Sequence, residues 1–319
     1  MKLGRFCLLF VPLLILVCIA GIAFGSTPLW EAERESAAVI VRHIRLPRVA
    51  AGMLAGVGLG ISGVLLQTVT DNTLASPNII GINSGAGLAV ILLLSTAPDL
   101  APLMPVGAFA GAFGAAALIL MMSGRLGSTN TSFLLMGIAV TTLLNAVISF
   151  FSLLDEGILA EYNYFTVGSL KGVGLDDLAL PGILIAAALL ASLLLSGRLR
   201  LLCMGDSAAM ALGVRVKRLR VLALMCAAAS SAAVVSFAGL LGFVGLVVPH
   251  IARAQVGQDP RKMLIASAIS GAGVVVLADL LGRTLFAPSE LPVGILMSLV
   301  GAPYFLILLC RRRRYAGIS

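Results

Sequence analysis

The stretch Val49-Ala-Ala-Gly-Met-Leu-Ala-Gly-Val-Gly-Leu-Gly-Ile-Ser-Gly-Val-Leu-Leu-Gln-Thr-Val69 contains no charged residue and carries five glycines. A helix needs about 20 apolar residues to cross the hydrocarbon core of a membrane, and this stretch has that length. Glycine at such density is typical of helices that pack closely against one another in a bilayer. The stretch therefore predicts a transmembrane helix inside a tightly packed helical bundle.

The rest of the chain has the same character. Its 319 residues are 60% hydrophobic and 11% charged, with a mean hydropathy of +1.09. A soluble domain of this size has too little interior to bury so much apolar surface. Aromatic residues make up only 6% of the chain, whereas a membrane β-barrel carries aromatic girdles. The composition predicts an all-α polytopic membrane protein, with residues 1–319 forming a single transmembrane domain.

Apolar stretches that qualify as membrane spans recur along the chain, and we expect about ten. They cover residues 6–24, 49–69, 79–94, 106–122, 132–153, 180–195, 219–237, 240–254, 263–281 and 293–309. The first resembles a signal peptide, but its apolar core is long for one and no clear cleavage site follows. We therefore interpret it as a retained span.

The connections between these spans carry the usual turn and cap signals. Residues 26–48 are expected to form the first polar connection, and Ser76-Pro77 predicts the start of the third span. The separation of the seventh span from the eighth is weak. Glycines and a proline between residues 239 and 249 predict a short or irregular helix there.

The distribution of basic residues predicts the orientation. With ten spans and the N-terminus inside, 16 of the 22 Lys and Arg residues fall in cytoplasmic segments, which places both termini in the cytoplasm. The same rule accounts for the net charge of +8 without nucleic acid as a partner. Six basic residues lie outside, against the bias: Arg34, Arg42, Arg45, Arg48, Lys171 and Arg283.

The most basic loop contains Gly205-Asp-Ser-Ala-Ala-Met-Ala-Leu-Gly-Val214, with arginines or lysines on both sides. Asp206 or Ser207 is expected to cap a two-turn helix that Gly213 ends in a left-handed conformation. Such a helix is too short to span lipid. The topology places this segment, about residues 203–216, on the cytoplasmic surface.

Residues that would carry catalysis are missing from the pattern. No lysine completes a GxxxxGK[ST] phosphate loop, and the predicted topology puts His43 and His250 on opposite sides of the membrane. No pair of acidic residues lies in neighbouring spans, and the five cysteines show no CxxC spacing. We therefore expect neither an enzyme, an intramembrane one included, nor a metal site or a cofactor in this chain.

Ionisable and polar residues within predicted spans are the remaining candidates. Asp279 and Arg283 lie four residues apart and are predicted to pair on one helix face. Gln67, Asn83 and Asn145 are expected either to form interhelical hydrogen bonds or to line a polar route. An ion-coupled secondary transporter would need a carboxylate near the middle of the bilayer, and Asp279 is the best candidate for it.

Several blocks of sequence occur together in order. They are Arg45-Leu-Pro-Arg48, Ser62-Gly-Val-Leu-Leu-Gln67, Asn72-Thr-Leu-Ala-Ser-Pro77, Ile80-Gly-Ile-Asn-Ser-Gly-Ala86, residues 205–214, Gly242-Phe-Val-Gly-Leu-Val-Val-Pro-His-Ile-Ala-Arg253, Glu290-Leu-Pro-Val-Gly294 and Gly301-Ala-Pro303. From about residue 40 onwards the chain resembles the FecCD-type permease subunits of type II ABC importers, which take up iron–siderophores, haem and cobalamin. Thr73 departs from the family, which usually has proline there.

The resemblance implies a permease in the bacterial plasma membrane. It would form a homodimer of ten-span subunits around a route for a bulky metal chelate, with a ferric siderophore as the first expectation and haem or cobalamin as alternatives. Two ATP-binding subunits would hold the ATP and magnesium, and an extracytoplasmic binding protein would deliver the cargo.

The resemblance also implies roles for particular residues. The coupling contact with the ATPase would involve Gly205, Asp206, Ala208, Ala209, Met210, Leu212 and Gly213. Arg45, Arg48 and Arg283 would dock the binding protein. Residues of the pathway or its gate would be Gln67, Asn83, Ser128, Ser132 and Asn145.

Overall fold

The computed structural model describes residues 3–26, 34–125 and 130–316, and regular structure within these ranges is helical. The α-helices are α1 (Leu3–Ala23), α2 (Arg34–Ile40), α3 (Leu46–Val69), α4 (Ile82–Thr96), α5 (Met104–Arg125), α6 (Asn130–Ser152), α7 (Glu156–Val167), α8 (Ala179–Leu202), α9 (Asp206–Ala211), α10 (Val216–Ala238), α11 (Val244–Val256), α12 (Pro260–Thr284) and α13 (Val293–Ala316). A π-helical turn, Val41–Arg45, joins α2 to α3. Short 3-10 helices cover Pro77–Ile80, Pro98–Leu103 and Asp176–Leu178.

Many of these helices have the length and composition of membrane spans. Among the described residues, seven helical segments are long and apolar enough to cross a membrane. They are Leu3–Ala23, Ala37–Val69, Pro98–Met122, Leu135–Ser152, Asp176–Leu202, Val216–Ala238 and Pro260–Thr284. Two shorter apolar helices cover Ile82–Thr96 and Val293–Ile307. The predicted all-helical membrane fold is therefore confirmed, and the count of ten spans stays a prediction.

Helix α3 lies in the interior of the bundle, with 18 of its 24 residues buried. It packs mainly against α12 and α10, and also against α11. Its glycines make this possible, because a Cβ on Gly56 would overlap the carbonyl oxygen of Gly271, and a Cβ on Gly63 would overlap that of Gly245. The backbones of α3, α12 and α11 therefore touch directly, as small residues allow in membrane helix pairs.

The polar connection that the sequence predicts over residues 26–48 is helical in its second half. Helix begins by Arg34, and the helical segment that contains the second apolar stretch runs from Ala37 to Val69. Pro47 lies in the first turn of α3 and has no N–H to donate to the preceding turn. The π-helical turn Val41–Arg45 lies directly before Pro47. In a π turn the backbone hydrogen bonds are spaced more widely than in an α-helix, so the turn can accommodate the hydrogen bond that proline does not make.

The start of the third span was predicted too early. Pro77–Ile80 forms a 3-10 helix, and Ser76 makes no side-chain cap. Gly81 adopts a left-handed conformation with φ of 74°, and α4 begins only at Ile82. A left-handed residue breaks the helical path, which explains why α4 is one of the shorter apolar helices.

The prediction of a short helix after residue 239 is confirmed. Gly239 has φ of 67° and Phe243 has φ of 61°, so the chain turns sharply before α11 begins at Val244. Helix α11 has 13 residues and contains Pro249.

Helix α7 (Glu156–Val167) is not among the apolar spans that the sequence predicts. It follows α6 directly, and the Asp155 carboxylate caps it by accepting hydrogen bonds from the N–H groups of Gly157 and Ile158. In the sequence, Asp155 alone could have predicted the start of α7, because no long apolar stretch follows it.

We predict that Gly56→Ala destabilises the protein by about 1–3 kcal/mol, because the added methyl group forces α3 away from Gly271. The matched control is Gly114→Ala in α5, where a Cβ has no neighbour within 4 Å. Thermal unfolding of both purified variants in one detergent measures the difference. Equal melting temperatures for the two variants would contradict the proposed backbone contact.

Candidate functional site

A cavity lies beside α13, and we call it the α13 cavity. It has a volume of about 650 Å³. Its lining residues are Asn83, Thr166, Val167, Leu240, Gly242, Gly294, Ile295, Ser298, Leu299, Ala302 and Pro303. The volume falls within the range of about 300–1,000 Å³ that is typical of small-molecule sites.

The polar side chains of the α13 cavity are already hydrogen-bonded within the chain. Asn83 Nδ2 donates to Asn78 Oδ1 at 2.7 Å, and the Ser298 hydroxyl donates to the Gly294 carbonyl at 2.9 Å. The Thr166 hydroxyl donates to the Asn163 carbonyl at 2.9 Å. The cavity therefore offers a small, mainly apolar lining with few strong binding groups.

Backbone contacts at three glycines build one wall of this cavity, and we call the contacts the glycine junction. The N–H of Leu240 donates to the Phe165 carbonyl at 3.2 Å, and the N–H of Gly294 donates to the Gly168 carbonyl at 3.1 Å. A Cβ on Gly168, Gly239 or Gly294 would press into a neighbouring carbonyl group. The ends of α7, α10 and α13 are thus held together by main chain.

Only one of the predicted pathway residues lines this cavity, and it is Asn83. Gln67 is buried near one end of α3 and accepts a hydrogen bond from Arg253 Nη2 at 3.3 Å. Asn145 is exposed on α6. Ser132 lies in the first turn of α6, and Ser128 lies outside the described residues.

A second site, which we call the arginine cluster, contains Arg45, Arg48, Asp279, Arg283 and Glu290. Arg48 Nε donates to both carboxylate oxygens of Asp279, at 2.9 and 3.0 Å, and its Nη1 donates to Glu290 at 2.8 Å. The predicted Asp279–Arg283 pair is present at 3.5 Å, but Arg48 is the closer partner of Asp279. Sequence spacing could find only the pair within one helix.

The arginine cluster also holds the end of α1. Arg45 Nη1 donates to the carbonyls of Ile22 at 3.0 Å and Ala23 at 2.6 Å, and Arg283 donates to the carbonyl of Gly21. These carbonyls lack helical partners and carry the negative end of the helix dipole. They therefore help to balance an excess of arginines over carboxylates.

Burial separates these arginines from ordinary surface charges. Arg45, Arg48 and Arg283 are 3%, 5% and 2% exposed. Their internal partners give a structural reason for three of the six basic residues that are predicted to lie outside, against the charge bias. The predicted docking role of these arginines stays a prediction.

Glu290 connects the arginine cluster to the loop that leads into α13. Its second carboxylate oxygen accepts a hydrogen bond from the Ser26 hydroxyl at 3.0 Å. Burial acts to raise the pKa of Glu290, but the hydrogen bond and charge of Arg48 outweigh burial, and the pKa lies below its usual value. The stabilising contribution of this group is present above the unfolded-state pKa of about 4.3 and is lost as the pH falls through the lower folded-state pKa.

The predicted coupling segment forms a short surface helix, α9. Gly205 precedes α9 with φ of 99°, and Gly213 follows it in the predicted left-handed conformation with φ of 80°. The predicted side-chain cap is wrong, because the Asp206 carboxylate pairs with Arg220 at 2.9 Å instead. Ala209 is buried and Ala208 half-buried, so α9 is seated on the bundle by its small residues. Met210 and Leu212 are 57% and 59% exposed.

These features define a polytopic helical membrane protein with an open cavity beside α13 and a short surface helix between two of its spans. The chain belongs to the FecCD transport family, whose profile matches residues 8–311.

Individual relatives agree with this assignment. The hemin transport system permease protein HmuU of Yersinia pestis is 37% identical over 301 residues, which cover 92% of this chain and 90% of HmuU. The cobalamin import system permease protein BtuC of Halobacterium salinarum is 39% identical over 287 residues, 89% of this chain and 77% of BtuC. A solved metal-chelate type ABC transporter in an inward-facing conformation matches 97% of this chain and 99% of its own, with a TM-score of 0.89 and 27% identity.

We predict that Asp279→Asn lowers the free energy of unfolding by about 3–5 kcal/mol, because it leaves buried arginines without their carboxylate. The control is Asp206→Asn, which removes a more exposed pair with Arg220 and should cost at most about 1 kcal/mol. Unfolding of the purified variants measures both values. Similar small losses in both would show that the arginine cluster contributes little to stability.

Proposed function

We propose that this chain is the transmembrane permease subunit of an ATP-driven importer of a bulky metal chelate. The observation that carries the proposal is the family match across residues 8–311 together with a fold shared over nearly the whole chain. The chain would span the bacterial plasma membrane ten times with both termini in the cytoplasm. It would bind no nucleotide itself, and ATP and magnesium would be held by a partner.

We propose a ferric siderophore as the cargo, with haem and cobalamin as the alternatives. The related permeases are named for hemin and cobalamin, both bulky cargoes. The mainly apolar lining of the α13 cavity suits passage of such a molecule better than tight recognition, since it offers few free polar groups.

A second copy of the chain would complete the route. Leu143 and Asn145 on α6 and Leu299 and Val300 on α13 are exposed in the single subunit. A polar Asn145 among apolar neighbours is costly against lipid and suits a helix interface or an aqueous route. Ser298 and Leu299, beside this face, line the α13 cavity, so a homodimer would extend that cavity along its axis.

Two ATPase subunits would bind at α9. Met210 in α9 and Leu212 directly after it are exposed, whereas the other side of α9 is packed on the bundle, so a partner that holds them also moves α8 and α10. Closure of the ATPases would then favour one of two packings of the bundle over the other.

Reconstitution tests the proposed function. The chain is placed in vesicles with its ATPase subunit, and uptake of a radiolabelled ferric siderophore, haem or cobalamin from its binding protein is measured. Uptake that needs ATP and the second subunit supports the proposal. Uptake by the chain alone on a proton or sodium gradient would establish the ion-coupled secondary transporter instead, although Asp279 is already paired with Arg48 and Arg283.

In the same vesicles, we predict that Leu212→Asp abolishes uptake while ATP hydrolysis continues, because a charge replaces an apolar contact with the ATPase. Leu175→Asp serves as the control, since it places the same charge on another exposed leucine at the opposite end of α8. Normal uptake by Leu212→Asp would rule out this contact.

We propose that a binding protein docks at the end of the bundle that carries the arginine cluster. Since Arg48 is buried and already holds Glu290, a carboxylate of the binding protein would have to replace Glu290 there. Reversing the charge of Arg48 would disrupt the cluster itself, so a gentler change is needed.

Glu290→Gln is that change. If Arg48 takes part in docking, releasing its Nη1 should raise the affinity of the binding protein and make the affinity more sensitive to salt. Asp99→Asn is the control, because it removes an exposed negative charge near the same end without touching the cluster. Titration calorimetry at two salt concentrations measures both effects, and identical results for the two variants would exclude Arg48 from docking.

A further inference from the structure

A second cavity, of about 650 Å³, lies apart from the lining of the α13 cavity, and we call it the α5–α8 crevice. It is formed by the first turns of α5 and α8, the last turn of α10, and the chain between residues 161 and 173. The chain around Lys171 lies near the arginine cluster, because Leu170 packs against Gly52, one helical turn after Arg48. This crevice has no part in the proposed route for the cargo.

The interior of the crevice is apolar and open toward the surface of the bundle. Phe109, Leu184 and Phe237 line it, together with Val106 and Leu180. Val106 and Leu180 belong to membrane spans and are 61% and 64% exposed. Side chains that line the crevice therefore also lie on the exposed surface of these apolar helices, where an acyl chain can enter from the side.

The rim of the crevice carries charge of both signs, in Lys171, Glu161 and Asp177. Among the described residues, neither Lys171 nor Glu161 has an ion-pair partner within 4.0 Å. The Asp177 carboxylate accepts a hydrogen bond from the Gly174 N–H at 2.9 Å, which fixes it at the rim. A lysine offers a point charge to a phosphate, and two carboxylates offer partners to an ammonium group.

We propose that the α5–α8 crevice binds one phospholipid with an ammonium headgroup, of the phosphatidylethanolamine type. An acyl chain lies against Phe109 and Leu184, the phosphate meets Lys171, and the ammonium meets Glu161 and Asp177. The apolar interior of the crevice fits an acyl chain, and the rim carries both positive and negative charge. The crevice should therefore bind a zwitterionic lipid more tightly than an anionic one.

The position of the crevice gives the bound lipid a structural consequence. Phe165 and Ala238 line the crevice, whereas Val167 and Leu240, close to them along the chain, line the α13 cavity. The two cavities therefore lie on opposite sides of the glycine junction. A lipid in the crevice supports that wall from behind.

Native mass spectrometry of the full-length chain, released from nanodiscs that contain phosphatidylethanolamine and phosphatidylglycerol, tests the proposal. We expect one phosphatidylethanolamine to remain after the surrounding lipids are stripped. Leu184→Trp fills the crevice and should reduce its retention about tenfold. Leu190→Trp, on the exposed face of the same helix, should leave retention unchanged.

The headgroup assignment has a test of its own that leaves the core intact. The double variant Glu161→Gln, Asp177→Asn should lose the preference for phosphatidylethanolamine over phosphatidylglycerol, while Asp176→Asn, which is outside the crevice lining, should keep it. Equal retention of both lipids by the unmodified protein, or equal retention by the two tryptophan variants, would overturn the proposal. The proposal would also be overturned if a soluble protein partner covered the crevice and no lipid were retained there.

Discussion

Direct contact between the backbones of α3 and α12 is the constraint on which the rest of the structure depends. Gly56 and Gly271 meet without side chains, and Gly63 meets Gly245 of α11 in the same way. Lipid tails are as apolar as leucine, so there is little hydrophobic gain in bringing these helices together. Close packing supplies the attraction instead, because many weak dispersion contacts form only at short range. The other helices are arranged around this contact.

The close approach of α3 and α12 also determines where the charges lie. Arg48 on α3 reaches Asp279 on α12 at 2.9 Å because the two helices are already in contact at Gly56 and Gly271. A buried charge of this kind is tolerated only with a partner and further hydrogen bonds. The carbonyl groups at the end of α1 supply some of them, which ties an otherwise weakly buried first span to the bundle.

The sequence predicted the helical membrane fold, because long apolar stretches have few other solutions, and it located the surface helix α9 from its flanking glycines and charges. It placed the start of α4 too early, since Gly81 acts through a local backbone geometry that composition does not reveal. It paired Asp279 with Arg283 but not with Arg48, because a contact between residues 231 positions apart depends on how the helices pack. The glycine junction was invisible for the same reason.

The glycine junction has a consequence for how such a protein can diversify. Its bonds join main-chain atoms of α7, α10 and α13, so the wall of the α13 cavity keeps its shape whatever side chains project from it. Residues such as Leu240, Ile295 and Ser298 can therefore be exchanged with little cost to the scaffold. The backbone contacts would keep the shape of the cavity wall while its side chains vary. One fold could then serve permeases named for cargoes as different as hemin and cobalamin.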